Sequence, residues 1–412
     1  MTRGFDVAPA ERVRCLTIHA DYACRRTGAC CTSRWRVPVE PCTHERLVDA
    51  IDDGSLRVGW LEDVAASSSD HGRDASRAGL LLQTDDLPEG YVSWLGLDRR
   101  GQCLFYETSR GTCAIHRQLG EDALPTSCRQ FPRVSLTDAR GTSVSLSHYC
   151  PTAANLIVDH DVPLAIVEAP RAFPPSRHYE GLDARGALPP LVRPGLLHSF
   201  DSYDLWERGV VALLAREELT AEQALACAAI AAERIRTWTP AVGPLETHVD
   251  WALARSVDDV GEADPALGTP VTAVRLWHLA RAAVPAGVTT PTEPVEAVAV
   301  WERHAADHWN TWAPVVRRYL AARAFATWLS YQGRGLRTSV LGLVVTLGVL
   351  QAEVGRACAV ARQDLDRDRL VEAIRAADLL VVHLVDPVTF AARLGVAEDA
   401  AGPGASPLEW LG

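Results

Sequence analysis

Residues 24–31 read Cys24-Arg25-Arg26-Thr27-Gly28-Ala29-Cys30-Cys31, three thiols gathered around one glycine. Of the chain's 11 cysteines, nine fall within residues 1–150: Cys15, Cys24, Cys30, Cys31, Cys42, Cys103, Cys113, Cys128 and Cys150. Free cysteine ordinarily scatters singly through cores as a small apolar residue. A crowd in one segment points instead to shared chemistry, disulfides or metal. Gly28 permits a tight turn that brings sulfurs from both sides toward one point. Arg25, Arg26, Arg34 and Arg36 stand between Tyr22 and Val39, with no acid among them. Positive neighbours lower a thiol's pKa, and metal ligands are thiolates.

A second group follows at Gly101-Gln102-Cys103 and Thr112-Cys113-Ala114-Ile115-His116. Two short strands about a turn ending in Gly111 predict a β-hairpin. A four-residue loop sets Cys103 opposite His116, and a one-residue bulge sets Cys103 and Cys113 on one face. His116 reads as a hydrogen-bonded neighbour of the thiols rather than a ligand. Cys128 comes after a short helix expected to end near Pro125. Residues 143–150 read as a strand, and Pro151 opens a helix, so Cys150 is expected at a helix N-terminus that favours a thiolate. The candidate metal ligands are therefore Cys24, Cys30, Cys31, Cys103, Cys113, Cys128 and Cys150. Cys15 lies in an apolar alternating stretch and reads as core, and Cys42 is a supplementary ligand candidate. Cys227 and Cys358 sit in alanine-rich helices and read as packing.

Composition narrows the chemistry. The 412 residues suffice for two or three domains and for an ordinary core. A net charge of −11 argues against nucleic acid as a partner. All 41 basic residues are arginine, so the chain has no Schiff-base lysine and no P-loop. The first residues carry no apolar leader core, and the longest apolar run, 340–350, is too short to span a membrane. A cytoplasmic setting is expected, where stable disulfides are rare, and metal is the better account of the thiols. The spacing C-x5-C-C, then C-x9-C-x14-C-x21-C, fits no standard zinc finger and contains no C-x3-C-x2-C. An iron–sulfur cluster needs only four thiolates that converge.

The fold class expected is mainly α with a small irregular α+β cysteine-rich metal-binding N-terminal domain. Its parts are a cysteine-cluster domain at 1–165, a proline-rich linker at 166–195 and a helical domain at 196–412. A polar surface loop is expected at 63–77. Thr220 and Gln223 form a capping box before an amphipathic helix reaching Trp238. Residues 301–330 have helical spacing with a break before Pro314, and 336–363 and 366–380 read as further helices. No βαβ series is visible, which argues against a parallel nucleotide-binding sheet.

The segments CRRTGACC, GQC with CAIH, LPTSCRQFPRV and VSLSHYCPTAANLI stand in the order that resembles YkgJ-type cysteine-cluster proteins, a family described as zinc- or iron-chelating. SCRQFPRV followed by YCPTAANLIV is similar to the flagellin lysine-N-methylase (FliB-like) branch. The resemblance covers residues 24–157. It implies a 4Fe-4S or zinc centre, S-adenosylmethionine as methyl donor, and a protein substrate bearing lysine. Thr27 stands where relatives often have a cysteine, which leaves the ligand set one short unless Cys15 or Cys42 substitutes.

Two functions follow as expectations. One is a cluster-containing protein-lysine N-methyltransferase. The other is a non-catalytic zinc- or iron-binding protein acting as a structural part, sensor or partner-binding module. Trp301, Trp309, Trp312 and Trp328, spaced as on one helix face, read as core rather than as a cage for methylated amines. His304 and His308 read as solvent-facing, while Arg317 and Arg318 fit an acidic ligand or a solvated helix face equally well.

Overall fold

The computed structural model describes residues 12–58, 79–159, 162–175, 177–260, 267–288, 293–294 and 297–400. The loop expected at 63–77 lies outside the described residues. The protein is mainly α with small sheets. It divides into two compact units, one of residues 1–22, 133–149 and 153–412, the other of 23–132 and 150–152.

In the larger unit, helices surround the helix Leu336–Ala361, which packs on Pro270–Arg281, Ala297–His304, Ala221–Arg236 and Arg367–Asp378. The 340–350 run lies within it and is buried throughout. This is the one described helix long and apolar enough to cross a membrane, yet 94% of its most apolar window is covered by the protein itself. Arg337 and Glu353, which flank the run, are part of the same helix. Arg337 forms a two-pronged pair with Glu233 at 2.6 and 2.7 Å, and Glu353 accepts from Trp277 Nε1 at 2.9 Å. Gly348 lets the neighbouring helix approach, since a Cβ there would stand 2.5 Å from Leu276 Cδ1.

The capping box forms in both directions: Gln223 N–H donates to Thr220 Oγ1 at 3.1 Å, and Thr220 N–H to Gln223 Oε1 at 2.9 Å. The expected break before Pro314 is also present. A 3-10 turn at Asn310–Trp312 precedes Ala313–Ala324, where Pro314 occupies the first turn and costs no hydrogen bond. Trp301 and Trp309 are buried 5.1 Å apart and belong to the core. Asp366 caps Arg367–Asp378, and a π-helical turn, Leu379–Leu384, follows.

The same unit carries a five-stranded mixed sheet in the order Gly181–Asp183, Arg133–Asp138, Gly141–Leu146, Val13–Leu16, Ile166–Glu168. Val13–Leu16 runs parallel to Gly141–Leu146, and Gly181–Asp183 parallel to Arg133–Asp138. The strand expected at 143–150 thus lies earlier, ending at Leu146.

The smaller unit joins a three-stranded antiparallel sheet (Pro38–Val39, Ser93–Leu95, Leu81–Leu82) to the helix Pro41–Asp52. Its core holds Val39, Leu47, Leu81, Leu95, Phe105 and Ile115. Cys103 is buried among them, and Cys31, Cys113 and Cys128 pack against them.

Candidate metal centre

Gly28 sets the first thiols in place. Its φ is +73°, and a Cβ there would lie 2.3 Å from the Tyr106 ring. It precedes the 3-10 turn Ala29–Cys31, whose Cys31 N–H donates to the Gly28 carbonyl at 2.9 Å. Cys103 N–H then donates to the Cys31 carbonyl at 2.8 Å, which ties the two cysteine groups together through the main chain. Replacing Gly28 with alanine forces a left-handed side chain costing about 1–2 kcal/mol before any clash. The variant should lose at least that much unfolding free energy in urea. Tyr106→Ala in the same chain should recover the part due to the ring and leave the backbone part.

The hairpin expected in the second group forms about residues 108–111, but its strands are two residues each and do not reach Cys103. Strands Tyr106–Glu107 and Thr112–Cys113 pair with Tyr106 opposite Cys113. The chain turns helical at once, Ala114–Leu119, so His116 lies on a helix rather than opposite Cys103. Cys103 instead bridges to Leu97. A register argument needs strand on both sides, and Cys113 ends the second strand by preceding a helix.

The thiols nevertheless gather at one apolar core, Cys103 within it and Cys31, Cys113 and Cys128 against it. Cys30 and Cys31 Sγ lie 3.9 Å apart. Cys31 also hydrogen-bonds Cys113. Cys103 and Cys128 feel the charges of Cys30 and Cys113. The Cys31 hydrogen bond holds Cys113 down to about 7, against burial and helped by the His116 and Ile115 amides. It lowers Cys30 likewise, again against burial. Cys31, as the shared donor, is pushed up. Burial pushes Cys103 up to about 12 and raises Cys128 well above the ordinary value. The shifts thus run in opposite directions, down at Cys30 and Cys113 and up at Cys31, Cys103 and Cys128. His116 acts on Cys113 through its main-chain N–H.

Cys24 and Cys42 are exposed, and Cys24 Sγ accepts from Arg26 N–H at 3.4 Å. Cys150 is buried and directly precedes the helix Pro151–Asp159, as its sequence position predicts. Cys15 belongs to the larger unit, buried in the strand Val13–Leu16, and burial pushes its thiol up to about 12. Arg36 pairs with Asp86 and lies 4.2 Å over the Trp94 ring, while Arg25 and Arg26 are exposed. Among the described residues, no three His, Cys, Asp or Glu side chains stand in ready-made ligating positions. The donor set itself, all sulfur and half-dry, suits a soft thiophilic metal.

Sequence reasoning passed over a second polar cluster, within the larger unit. Asp378, fully buried, accepts from Ser147 Oγ at 2.8 Å and from the His148 N–H at 2.6 Å. Ser147 Oγ is 2.6 Å from His383 Nε2, and His148 Nε2 is 3.1 Å from His19 Nε2. Burial lowers His148 and brings His383 down to about 4, and it takes His198 elsewhere in the unit to about 3. These rings stay neutral in the folded protein, whereas the unfolded chain binds their protons near pH 6.5. Stability present above pH 6.5 should therefore be lost as pH falls toward 4, by about 1.4 kcal/mol per pH unit for each such ring. Urea denaturation between pH 7 and 5 measures the slope, and His198→Asn should flatten it. A pH-independent midpoint would overturn this account.

The histidine pair on the 297–309 segment turns to a carboxylate: His304 Nδ1 lies 2.7 Å from Asp364 and His308 Nε2 3.9 Å. Compared with protein-family models, with curated proteins and with solved structures, the chain matches none.

Proposed function

We propose that residues 23–132 with Cys150 form a small cysteine-rich α+β metal-binding domain that holds its metal through thiolates. The observation that carries this reading is that Cys31, Cys103, Cys113 and Cys128, from four separate segments, pack at one apolar core, with Cys30 Sγ 3.9 Å from Cys31 Sγ. Ligand sulfurs must release their protons, and the Cys31 hydrogen bond favours that release by lowering Cys113. The resemblance to YkgJ-type proteins supports an iron–sulfur cluster as the occupant, and the flagellin lysine-N-methylase branch supports methyl transfer from S-adenosylmethionine to a lysine on a partner protein. Any such lysine comes from the partner, since this chain has none.

One distance favours a second occupant. Tetrahedral zinc with Zn–S near 2.3 Å sets its sulfurs about 3.8 Å apart, and Cys30 and Cys31 stand at 3.9 Å. A zinc centre goes with the non-catalytic reading.

Anaerobic purification followed by iron, zinc and acid-labile sulfide analysis, with an optical spectrum, separates the two. Brown protein with matched iron and sulfide supports the cluster, and colourless protein with one zinc per chain supports the alternative. Metal-free protein that takes up neither would sink the proposal. For the cluster-loaded protein, labelled methyl donor and lysine-bearing partner proteins then test transfer.

A further inference from the structure

The smaller unit carries a cationic surface that ligation of a metal does not use. Arg25, Arg26, Arg34, Arg99 and Arg100 are all exposed. Among the described residues, none of their side chains has a hydrogen-bond or ion-pair partner. Other arginines of the same unit do find carboxylates: Arg36 pairs with Asp86, and Arg117 with Glu107 at 2.7 Å. Native chains of mixed charge ordinarily intersperse the two signs, and a run of one sign raises a local field.

The loops that carry these arginines are neighbours. A Cβ on Gly101 would stand 2.7 Å from Arg34 Cγ, so the Arg34 stem lies against the turn Asp98–Gly101, which carries Arg99 and Arg100. The Cys103 N–H bond to the Cys31 carbonyl joins that turn to the 24–34 segment. The one carboxylate in these two loops, Asp98, already accepts from the Arg100 and Gln102 main-chain N–H groups at 2.8 and 2.9 Å.

Arg26 and Arg34 have φ of +53° and +64°, in the left-handed region. Glycine adopts that backbone freely, whereas a side chain there is held at a cost. Arginine brings nothing to the backbone at these turns. What it brings is an exposed guanidinium, and strain of this kind gathers at functional surfaces.

Exposed guanidinium groups receive carboxylate or phosphate oxygens in two-pronged bonds. The charge of the whole chain selects between them. At −11 it repels a long polyphosphate beyond the contact region, whereas a short acidic stretch meets the arginines alone. We propose that this surface docks an acidic segment of a partner protein, whose Asp and Glu carboxylates pair with Arg26, Arg34, Arg99 and Arg100. The surface is independent of which metal the thiols hold.

The test is fluorescence anisotropy with the full chain and a labelled peptide of alternating glutamate and glycine. A lysine–glycine peptide and an oligothymidylate of equal charge are the matched probes. At about 0.15 M salt the glutamate peptide should bind saturably with a Kd of about 0.1 mM or below. At about 1 M, where screening acts over about 3 Å, binding should be lost. The lysine peptide should not bind, and the oligothymidylate should bind about tenfold or more weakly than the glutamate peptide. Arg99→Ser with Arg100→Ser should weaken the glutamate peptide about tenfold. Arg26→Gly should weaken it several-fold without lowering the urea midpoint, because glycine relieves the backbone; a purely structural arginine would give the reverse pattern. Arg303→Ser with Arg362→Ser, exposed arginines of the larger unit, should leave binding unchanged. No saturable binding, oligothymidylate bound as tightly as the glutamate peptide, or a loss in the Arg99 and Arg100 variant no greater than in the Arg303 and Arg362 variant would each overturn the proposal. The second of these would assign the surface to nucleic acid.

Discussion

Asp378→Ala should cost about 3–5 kcal/mol of unfolding free energy, the range for breaking a buried ion pair from one side. The carboxylate is fully buried and accepts from Ser147 Oγ, from the His148 and Tyr149 main-chain N–H groups at 2.6 and 3.3 Å, and from the Tyr319 hydroxyl at 3.3 Å. Burial alone would raise its pKa. The Arg323 charge and the His148 hydrogen bond outweigh burial and hold it well below the usual carboxylate range. Alanine strands Arg323 and leaves these donors without an acceptor in a dry interior. Asp378→Asn keeps the shape and one acceptor, so it should cost roughly half as much. Arg323→Met in the Asp378→Ala background removes the stranded cation and should restore part of the loss. Urea titrations give all three values. A loss under about 1 kcal/mol for Asp378→Ala, the scale of an ordinary surface change, would show that the cluster is not a structural keystone.

Cys113→Ser and Cys31→Ser should each reduce bound metal to near zero, while Cys227→Ser should leave it unaltered. Cys113 is one of two sulfurs whose pKa is lowered, and its place before a helix supplies amides that steady its negative charge. Cys31 is the donor that lowers both Cys30 and Cys113. Serine retains the shape but is a poor ligand for a soft metal. Cys227 is fully buried in the helix Ala221–Arg236 of the other unit, and burial pushes it up to about 11. Metal analysis of the anaerobically purified variants reads the result directly. Full occupancy in Cys113→Ser would remove that residue from the ligand set.

The helices of the larger unit were legible because their ends are written locally. Thr220 with Gln223, Pro314 and Asp366 each mark a boundary by a bond they make or cannot make. The sheet was not legible. Its outer strands, Ile166–Glu168 and Gly181–Asp183, have three residues each, too few for alternation to register, and the second lies in a proline-dense stretch. Apart from Arg133–Asp138 with Gly141–Leu146, its paired strands are also far apart in sequence. At the thiols, the crowding of cysteines near Gly28 could be read directly. The helix at Ala114 could not, because Cys-Ala-Ile-His has no capping residue to announce it. The Asp378 cluster escaped for a different reason. His19, Ser147, His148, Tyr319 and His383 are each unremarkable in their own surroundings and become a site only when the fold collects them.

The parallel pairing of Val13–Leu16 with Gly141–Leu146 bears on how the chain is made. The first strand leaves the ribosome well before its neighbour exists, and everything between them must be synthesised while it waits. Joining two distant ends costs entropy that grows with the freely moving length between them. If the intervening 23–132 segment has already collapsed, that length shrinks to little more than the segment's own flanks. Biogenesis would then proceed from the thiol-bearing insertion outward. Nascent chains halted far enough past residue 152 to bring it clear of the ribosome should already resist protease at the described residues 23–58 and 79–132. Uniform digestion there would show that the insertion needs the rest of the molecule to fold.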